Sequence, residues 1–566
     1  MDELFTAAQT WMDLDPEHAG ILAKEISAAR REEDWAISAL TARFAGYLTF
    51  GTAGLRAPVG PGTTRMNRVV VQQAAAGIAD FAHERVSQPL VVIGYDARHR
   101  SKDFAIDSAA VFTAAGCRVK LMPTTAPTPV LAFALKHLAA DVGIMVTASH
   151  NPPGDNGYKV YLGPRLLGPD DVTGAYAQIT SPTDQLIATK IHAWNITTKQ
   201  PDLAASGWDF IPEDISYDYV EAVRQFLNGV SSPKGRSALH IVYTPMHGVG
   251  AGIFSQLMDA TGFNTVSVVD QQVDPDPGFP TVAFPNPEEP GALDLAISTA
   301  NSLPETDLII AHDPDADRLA IAVRVSGEWR RLSGDHVGLL LGARLMPYLA
   351  ANDLTISNSV VSAPQLARLA TQYGVPHRTT PTGFKWICRV PKLGFGYEEA
   401  LGYAVAPHVV NDKDGLSAAV VIADLAAELK ANGSDLVEYL YELTDQVGPT
   451  ITDQISVHVP SPSVGALLVD DLRTNPPLTL AQQSPVIAVD YANAQVELVQ
   501  QYGPMNMVEF STAGLVTARL MIRPSGTEPK VKCYISVSAT PDTPFETVQA
   551  AMVDLREEAA NLVDVA

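Results

Sequence analysis

Three short stretches of the chain carry side chains whose types and spacing could do chemistry. The first runs Thr147-Ala148-Ser149-His150-Asn151-Pro152-Pro153-Gly154-Asp155-Asn156-Gly157-Tyr158-Lys159. It follows an apolar run, Val142 to Val146, that reads as a buried strand. Ser149 therefore falls at a strand's C-terminal end, where open α/β sheets do their chemistry. Two prolines and two glycines shortly after it break strand and helix alike and specify a rigid, exposed loop. Such a loop is either a polar surface turn or the seat of a nucleophile with an imidazole beside it.

The second stretch is His312-Asp313-Pro314-Asp315-Ala316-Asp317-Arg318. Carboxylates at alternate positions of an extended loop point one way, which suits a hard cation with oxygen ligands. An EF-hand is excluded, because Arg318 and Arg324 stand where that loop needs its glycine and its last glutamate. A bare run of solvated acids is the plainer reading, but carboxylates confined between two strands repel one another at a cost that a cation relieves. The third stretch is Arg523-Pro524-Ser525-Gly526-Thr527-Glu528-Pro529-Lys530. Backbone amides, two hydroxyls and a fork-shaped guanidinium make a phosphate cup, against the alternative of an ordinary hairpin loop.

The elements that must position these stretches follow an α/β rhythm. Residues 2 to 48 show helix periodicity with charged faces and form an N-terminal helical arm. From Pro89 the pattern predicts a strand over 91–95, a helix over 103–115, a strand over 118–122, a helix over 129–138 and the strand over 142–146, for which a parallel sheet is the economical inference. Asp96 and Arg98 after the first of these strands read as a bracing ion pair for the serine loop. Residues 205 to 236 read as a connector with a helix, and a second unit begins at Leu239. Its Gly248-Val249-Gly250-Ala251-Gly252, with Asp270 downstream, imitates a dinucleotide fingerprint. The G-x-G-x-G spacing, set off from the strand by Thr244-Pro245-Met246-His247, argues instead for close packing of helix on strand. A strand over 308–311 delivers the acidic stretch. A third unit follows with a helix over 335–349, a strand over 359–362 and the paired Glu398 and Glu399, which read equally as a solvated turn or a sugar-hydroxyl clamp. The last unit starts near Thr452, has strands over 518–522 and 531–536, and ends in a helix over 544–562.

At 566 residues the chain should hold three to four domains of roughly 150 residues each. Apolar residues make up 46% and charged residues 18%, as in a globular protein without long disordered tracts. A net charge of -24 argues against general affinity for nucleic acid or anionic membrane, so an anionic substrate needs a locally basic cleft. Cys117, Cys388 and Cys533 are the only cysteines and form no C-x-x-C pair, which implies neither a disulfide framework nor a zinc site. The acidic start, Met1-Asp2-Glu3-Leu4-Phe5, is unlike a signal peptide, and no apolar run approaches the ~18 residues of a membrane span. A cytoplasmic location is expected.

The serine stretch satisfies T-[AG]-S-H-N-P-x-x-x-N-G-x-K at every fixed position, and with it the chain resembles the α-D-phosphohexomutase superfamily, the phosphoglucomutase/phosphomannomutase family. Phe50-Gly51-Thr52-Ala53-Gly54-Leu55-Arg56 resembles its entry motif, Gly94-Tyr95-Asp96-Ala97-Arg98-His99-Arg100-Ser101 its G-x-D-x-R-x-x-S, the acidic stretch its D-x-D-x-D-R magnesium loop, and the Arg523 stretch its phosphate loop. Thr380-Pro381-Thr382-Gly383-Phe384-Lys385-Trp386, Tyr397-Glu398-Glu399-Ala400-Leu401-Gly402-Tyr403 and Asn411-Asp412-Lys413-Asp414-Gly415 look most like the phosphoglucomutase/phosphopentomutase branch.

The resemblance implies an α/β, four-domain architecture: three mixed α/β sandwich domains and a smaller α+β C-terminal domain around a central cleft. The divisions expected are 1–48 for the arm, 49–205, 206–325, 326–450 and 451–566. It further implies an enzyme interconverting hexose 1- and 6-phosphates through a phosphorylated Ser149 and a sugar bisphosphate intermediate or activator. One Mg2+ per chain would lie between Ser149 and Asp313, Asp315 and Asp317. Arg318 and Arg56 would balance charge, and either Lys159 or His150 would relay the proton. Thr382, Gly383, Lys385, Glu398, Ala400, Arg523, Ser525, Gly526 and Thr527 would bind the phosphorylated sugar. Ala400 replaces the family's usual serine, which leaves the sugar open between glucose, mannose and a pentose. A phosphopentomutase, a bisphosphate synthase and a non-catalytic sugar-phosphate binder of the same fold are the alternatives, with a monomer or homodimer and no nucleic acid or membrane partner. A serine hydrolase is disfavoured because no G-x-S-x-G elbow surrounds Ser149.

Overall fold

The computed structural model describes every residue except 52–53, 196–199, 525–529 and 564–566. The chain forms two compact units: Met1–Arg331 with Gly402–Ala427, and Leu332–Leu401 with Glu428–Ala566.

The first unit opens with the helical arm, as helices Asp2–Leu14, Ala19–Ala29 and Asp34–Phe44. Trp11 packs edge-on against Phe44, and Arg43 grips both carboxylate oxygens of Glu25. Strands then follow the predicted rhythm: Leu90–Tyr95 lies parallel to Arg118–Leu121 and to Val142–Val146. All residues of Leu90–Tyr95 and Val142–Val146 are buried, which is why both read as continuous apolar runs.

The sheet is mixed rather than parallel. After the serine loop the chain returns as a strand, Asp155–Leu162, antiparallel to Val142–Val146 with Met145 opposite Lys159, and Leu55–Pro58 adds antiparallel on its far side. Prolines 152 and 153 break the chain only within the loop. Gly157 permits the close strand pairing beyond it, since a Cβ there would lie 2.5 Å from the Thr147 carbonyl oxygen.

The second sheet of this unit runs Glu328–Arg331, Leu319–Val325, Leu308–His312, His240–Thr244, Thr265–Val268. Leu308–His312 is parallel to His240–Thr244 and antiparallel to Leu319–Val325, so the acidic stretch is a hairpin turn. Residues 402–427 complete the unit. Most of helix Gly415–Ala431 is buried, and Asp424 pairs with the Arg236 guanidinium at 2.7 Å.

In the second unit, Thr355–Ser359 lies parallel to both His377–Thr380 and Leu393–Glu398. The strand sits four residues earlier than the expected 359–362. Residues 359–362 form a turn, closed by Ser362 N–H on the Ser359 carbonyl at 3.1 Å, and Val360 and Val361 fill a small core with Tyr491, Met521 and Tyr534. The final sheet is antiparallel, Thr450–His458, Lys530–Ala539, Val516–Pro524, Val508–Ser511, Ile487–Asp490. Helix Phe545–Leu562 packs on it through Val548, Met552 and Leu555.

Arg236 and Asp424 are both almost fully buried, with side chains 4% and 1% exposed. Asp424→Ala leaves an uncompensated buried guanidinium and should cost about 3–5 kcal/mol, measured by urea unfolding.

Candidate active site

Ser149 begins the loop with φ +51°, a strained left-handed conformation for a residue other than glycine. Its N–H donates to Thr147 Oγ1 at 2.9 Å, and its Oγ donates to Asp313 Oδ2 at 2.6 Å and lies 3.2 Å from His150 Nδ1. The loop is held from below by one side chain. Arg98 Nη2 donates to the Ser149 and Asn151 carbonyls at 2.5 and 2.6 Å, and Nη1 to those of Pro152 and Asp155 at 2.9 and 3.2 Å. Arg56 Nη1 donates to Asn151 Oδ1 at 3.0 Å. The loop is thus rigid and exposed at Pro152 and Gly154, as its composition predicts, but Ser149 itself is not. Ser149 is only 3% accessible, because its hydroxyl turns onto a buried carboxylate instead of outward.

Asp313, Asp315 and Asp317 each bring a carboxylate oxygen within 4.8 Å of the others. The convergence does not come from an extended loop. Ala316 adopts φ +54° and its N–H returns to the Asp313 carbonyl at 2.9 Å, so a tight turn gathers the three. All three are fully buried. Lys159 Nζ contacts Asp315 Oδ2 at 2.6 Å and Asp317 Oδ2 at 2.7 Å, and Lys413 Nζ reaches the same Asp317 oxygen at 3.0 Å. Against the opposing effect of burial, these lysines and Arg318 hold the Asp317 carboxyl far below the usual range. Asp313 goes the other way: burial, then the charges of Asp315 and Asp317, push it well up. Among the described residues, Asp315 Oδ1 and Asp317 Oδ1 are buried without any hydrogen-bond donor. Spare oxygens on converging carboxylates are what an oxygen-seeking cation needs, so the triad fits a metal ion.

Burial, followed by the charges of Arg318 and Arg56, holds His150 well below its ordinary pKa, so the imidazole beside Ser149 is neutral at neutral pH. Arg318 itself donates its N–H to Asp313 Oδ1 at 3.0 Å and approaches Glu288 Oε2 at 3.7 Å.

The second unit gathers a different set. Arg523 Nη1 donates to Thr382 Oγ1 at 3.1 Å and Nη2 to the Tyr534 hydroxyl at 3.0 Å. Gly383, at φ +112°, donates its N–H to Glu398 Oε1 at 2.5 Å, and Lys385 Nζ lies 5.1 Å from the Trp386 ring centre. Glu399 accepts from Ser359 and Ser362 at 2.9 and 3.0 Å. Loss of hydration, with Glu398 and Asp335 nearby, pushes its carboxyl up to about 7. The paired glutamates therefore divide their work: Glu398 fixes the Thr382-Gly383 turn, and Glu399 ties down the turn at 359–362. Ala400 adjoins them. Ser525, Gly526 and Thr527 lie outside the described residues.

Three family models match along the chain: phosphoglucomutase/phosphomannomutase, alpha/beta/alpha domains I, II and III, over residues 47–185, 217–327 and 333–444. The protein named "Probable phosphomannomutase" of Haemophilus influenzae is 42% identical over 475 residues, covering 83% of this chain and 92% of that protein. The chain belongs to the phosphoglucomutase/phosphomannomutase family. It is a phosphosugar mutase, an isomerase that moves a phosphoryl group. The phosphoribomutase of Saccharomyces cerevisiae is 34% identical over 582 residues, covering 91% of this chain and 90% of that one. The solved structure of pp63/parafusin (phosphoglucomutase) from Paramecium shares the fold, with a TM-score of 0.69 at 18% identity, covering 92% of this chain and 96% of that one.

Two site residues of the mutase carried no role in the sequence reading. Lys413 stands in Asn411-Asp412-Lys413-Asp414-Gly415, visible only as a branch signature. Its neighbours anchor it, Asp412 accepting from Tyr161 and Gln178 at 2.7 and 2.8 Å and Asp414 from Tyr219 at 2.8 Å. Thr128 opens helix Thr128–His137 and donates through Oγ1 to Asp315 Oδ2 at 2.6 Å. Nothing local in the sequence pairs it with an aspartate so far along the chain.

Arg98→Lys keeps a charge but cannot span four carbonyls. It should cost about 2–3 kcal/mol by urea unfolding and lower kcat roughly 100-fold. A loss under about 0.5 kcal/mol with an unchanged rate would show the brace to be dispensable.

Proposed function

We propose that this mutase interconverts hexose 1-phosphates and hexose 6-phosphates, glucose first and mannose second, through a phosphorylated Ser149 and a sugar bisphosphate intermediate that also serves as activator. One observation carries the reading: the Ser149 hydroxyl lies 2.6 Å from Asp313, within a buried acidic triad that retains unused oxygens. Asp313, Asp315 and Asp317, with the Ser149 phosphate, would hold one Mg2+ per chain. When bound, Mg2+ neutralises charge on the oxygens of a transferring phosphoryl group.

The residues of the chain do the remainder. The proton released by the attacked sugar hydroxyl must end on Ser149 Oγ. His150 Nδ1, neutral and 3.2 Å from Oγ, is suited to take it up and return it. Lys159, engaged by two carboxylates, acts as a fixed cation that orients the triad. Arg318 and Arg56 add positive charge around the serine loop. In the second unit, Arg523 and Lys385 are the cations for the phosphate that is not reacting, together with Ser525, Gly526 and Thr527, while Thr382, Gly383, Glu398 and Ala400 read the sugar. Four sheets support four larger parts, with the first sheet reaching past the division at 205 to Asp209–Phe210 and the second past 325 to Glu328–Arg331.

A pentose substrate is the second reading, favoured by Ala400 in place of a serine and by the likeness to a phosphoribomutase. Assays of glucose, mannose and ribose 1-phosphates under identical conditions separate the two. A cytoplasmic monomer or homodimer without nucleic-acid or membrane partners agrees with the net charge of -24 and the three free cysteines. Among the described residues, no helix is long and apolar enough to cross a membrane.

Intact mass tests the reading. The protein should carry one phosphate in at least part of the population after incubation with a sugar bisphosphate, and Ser149→Ala should lose both that mass and all transfer while keeping its fold. Substantial transfer by Ser149→Ala would refute the assignment. Asp315→Ala should abolish Mg2+ dependence and activity together.

A further inference from the structure

Arg98 holds four carbonyls of the serine loop, and its side chain is 1% exposed, with Asp96 as its ion-pair partner. Asp96 approaches Nε only to 3.5 Å, and among the described residues Nε has no acceptor. What meets the guanidinium is a ring: Phe279 has its centre 5.0 Å from Arg98 Cζ. An aromatic face attracts a buried cation without competing for its N–H groups, so it leaves all four bonds to the loop.

Phe279 is an unusual residue to find there. It is 2% exposed and sits at φ +47°, a genuine outlier for a bulky side chain, directly before Pro280. Such a conformation persists only where the surroundings over-determine it. They do: Phe279 N–H donates to the Asp276 carbonyl at 3.2 Å, Asp276 N–H to the His247 carbonyl at 3.1 Å, and His247 Nε2 contacts Thr281 Oγ1 at 2.8 Å. The next residue, Gly248, lies so close to the metal loop that a Cβ would fall 2.4 Å from Pro314 Cα, and Val249 N–H donates to the Pro314 carbonyl at 2.8 Å. One strap, residues 276–281, thus links the brace of the serine loop to the backbone between Asp313 and Asp315.

We propose that Phe279 is a positioning residue for phosphoryl transfer: its ring fixes the orientation of Arg98, and its strap keeps the serine loop in register with the acidic turn. The proposal rests on the reading of Ser149 as phosphoryl carrier. A side chain that only filled the core could be exchanged for another apolar one with a general loss of stability. A positioning ring fails differently, because Arg98 regains freedom and the loop it ties loosens first.

The test compares the full chain with Phe279→Leu and Phe279→Tyr, by amide exchange and by steady-state kinetics. Phe279→Leu should speed exchange in the peptide 147–159 about tenfold while helix Ala251–Thr261 is unchanged, and should lower kcat about tenfold with KM within about twofold. Phe279→Tyr, which keeps the ring, should restore both. The proposal is overturned if folded Phe279→Leu shows wild-type loop exchange and kcat, or if exchange rises throughout the unit rather than in the loop. Should Phe279→Leu not fold, Phe279→Met is read by the same two measurements. If the wild-type chain transfers no phosphoryl group, the reading of Ser149 falls, while the exchange data still decide whether Phe279 holds the loop.

Discussion

Three buried carboxylates within reach of one another are the constraint on which the first unit is built. Uncompensated, such a cluster would be prohibitively unfavourable, since each charge has lost its water and repels the next. The chain answers with Lys159 from the strand after the serine loop and Lys413 from the segment before helix Gly415–Ala431. The serine hydroxyl is the third answer, donated to the one carboxylate that neither lysine touches. Two cations are thus supplied from distant parts of the chain to a turn whose own cation is Arg318. This explains why residues 402–427 belong to the first unit although 332–401 do not.

The same charge balance bears on two roles that the residue types alone left open. Lys159 and His150 are both bases near a serine. A lysine clamped by two carboxylates keeps its proton, whereas a buried imidazole near Arg318 and Arg56 stays neutral. This difference supports the proposal that Lys159 is a structural cation and His150 the proton carrier.

Much of this was legible in the sequence wherever the determinant is local. The ends of Val142–Val146 are legible because an all-buried strand is a continuous apolar run between breakers. The acidic cluster is legible because three carboxylates stand within five residues, although the tight turn that gathers them is not. What escaped depends on partners far along the chain. The return strand Asp155–Leu162 looked like part of a loop, since its prolines and glycines mask the alternation that follows. The strand Thr355–Ser359 is polar at Ser357, Asn358 and Ser359, so the apolar pair Val360-Val361 drew the prediction four residues too far. Lys413 and Thr128 have no local mark at all, because their partner aspartates are set by the packing of separate elements. The exposure expected for Ser149 failed for the same reason: composition shows where a chain turns, not what it turns against.

A cation held by the acidic turn beside the Ser149 hydroxyl is what phosphoryl transfer through Ser149 requires. The most direct measurement is a crystal structure of the full chain soaked in Mn2+, with data collected for anomalous scattering. One peak is predicted, bonded at about 2.0–2.3 Å to one oxygen each of Asp313, Asp315 and Asp317 and adjacent to Ser149 Oγ. A peak coordinated elsewhere, or none at the triad while Mn2+ supports turnover in solution, would contradict it.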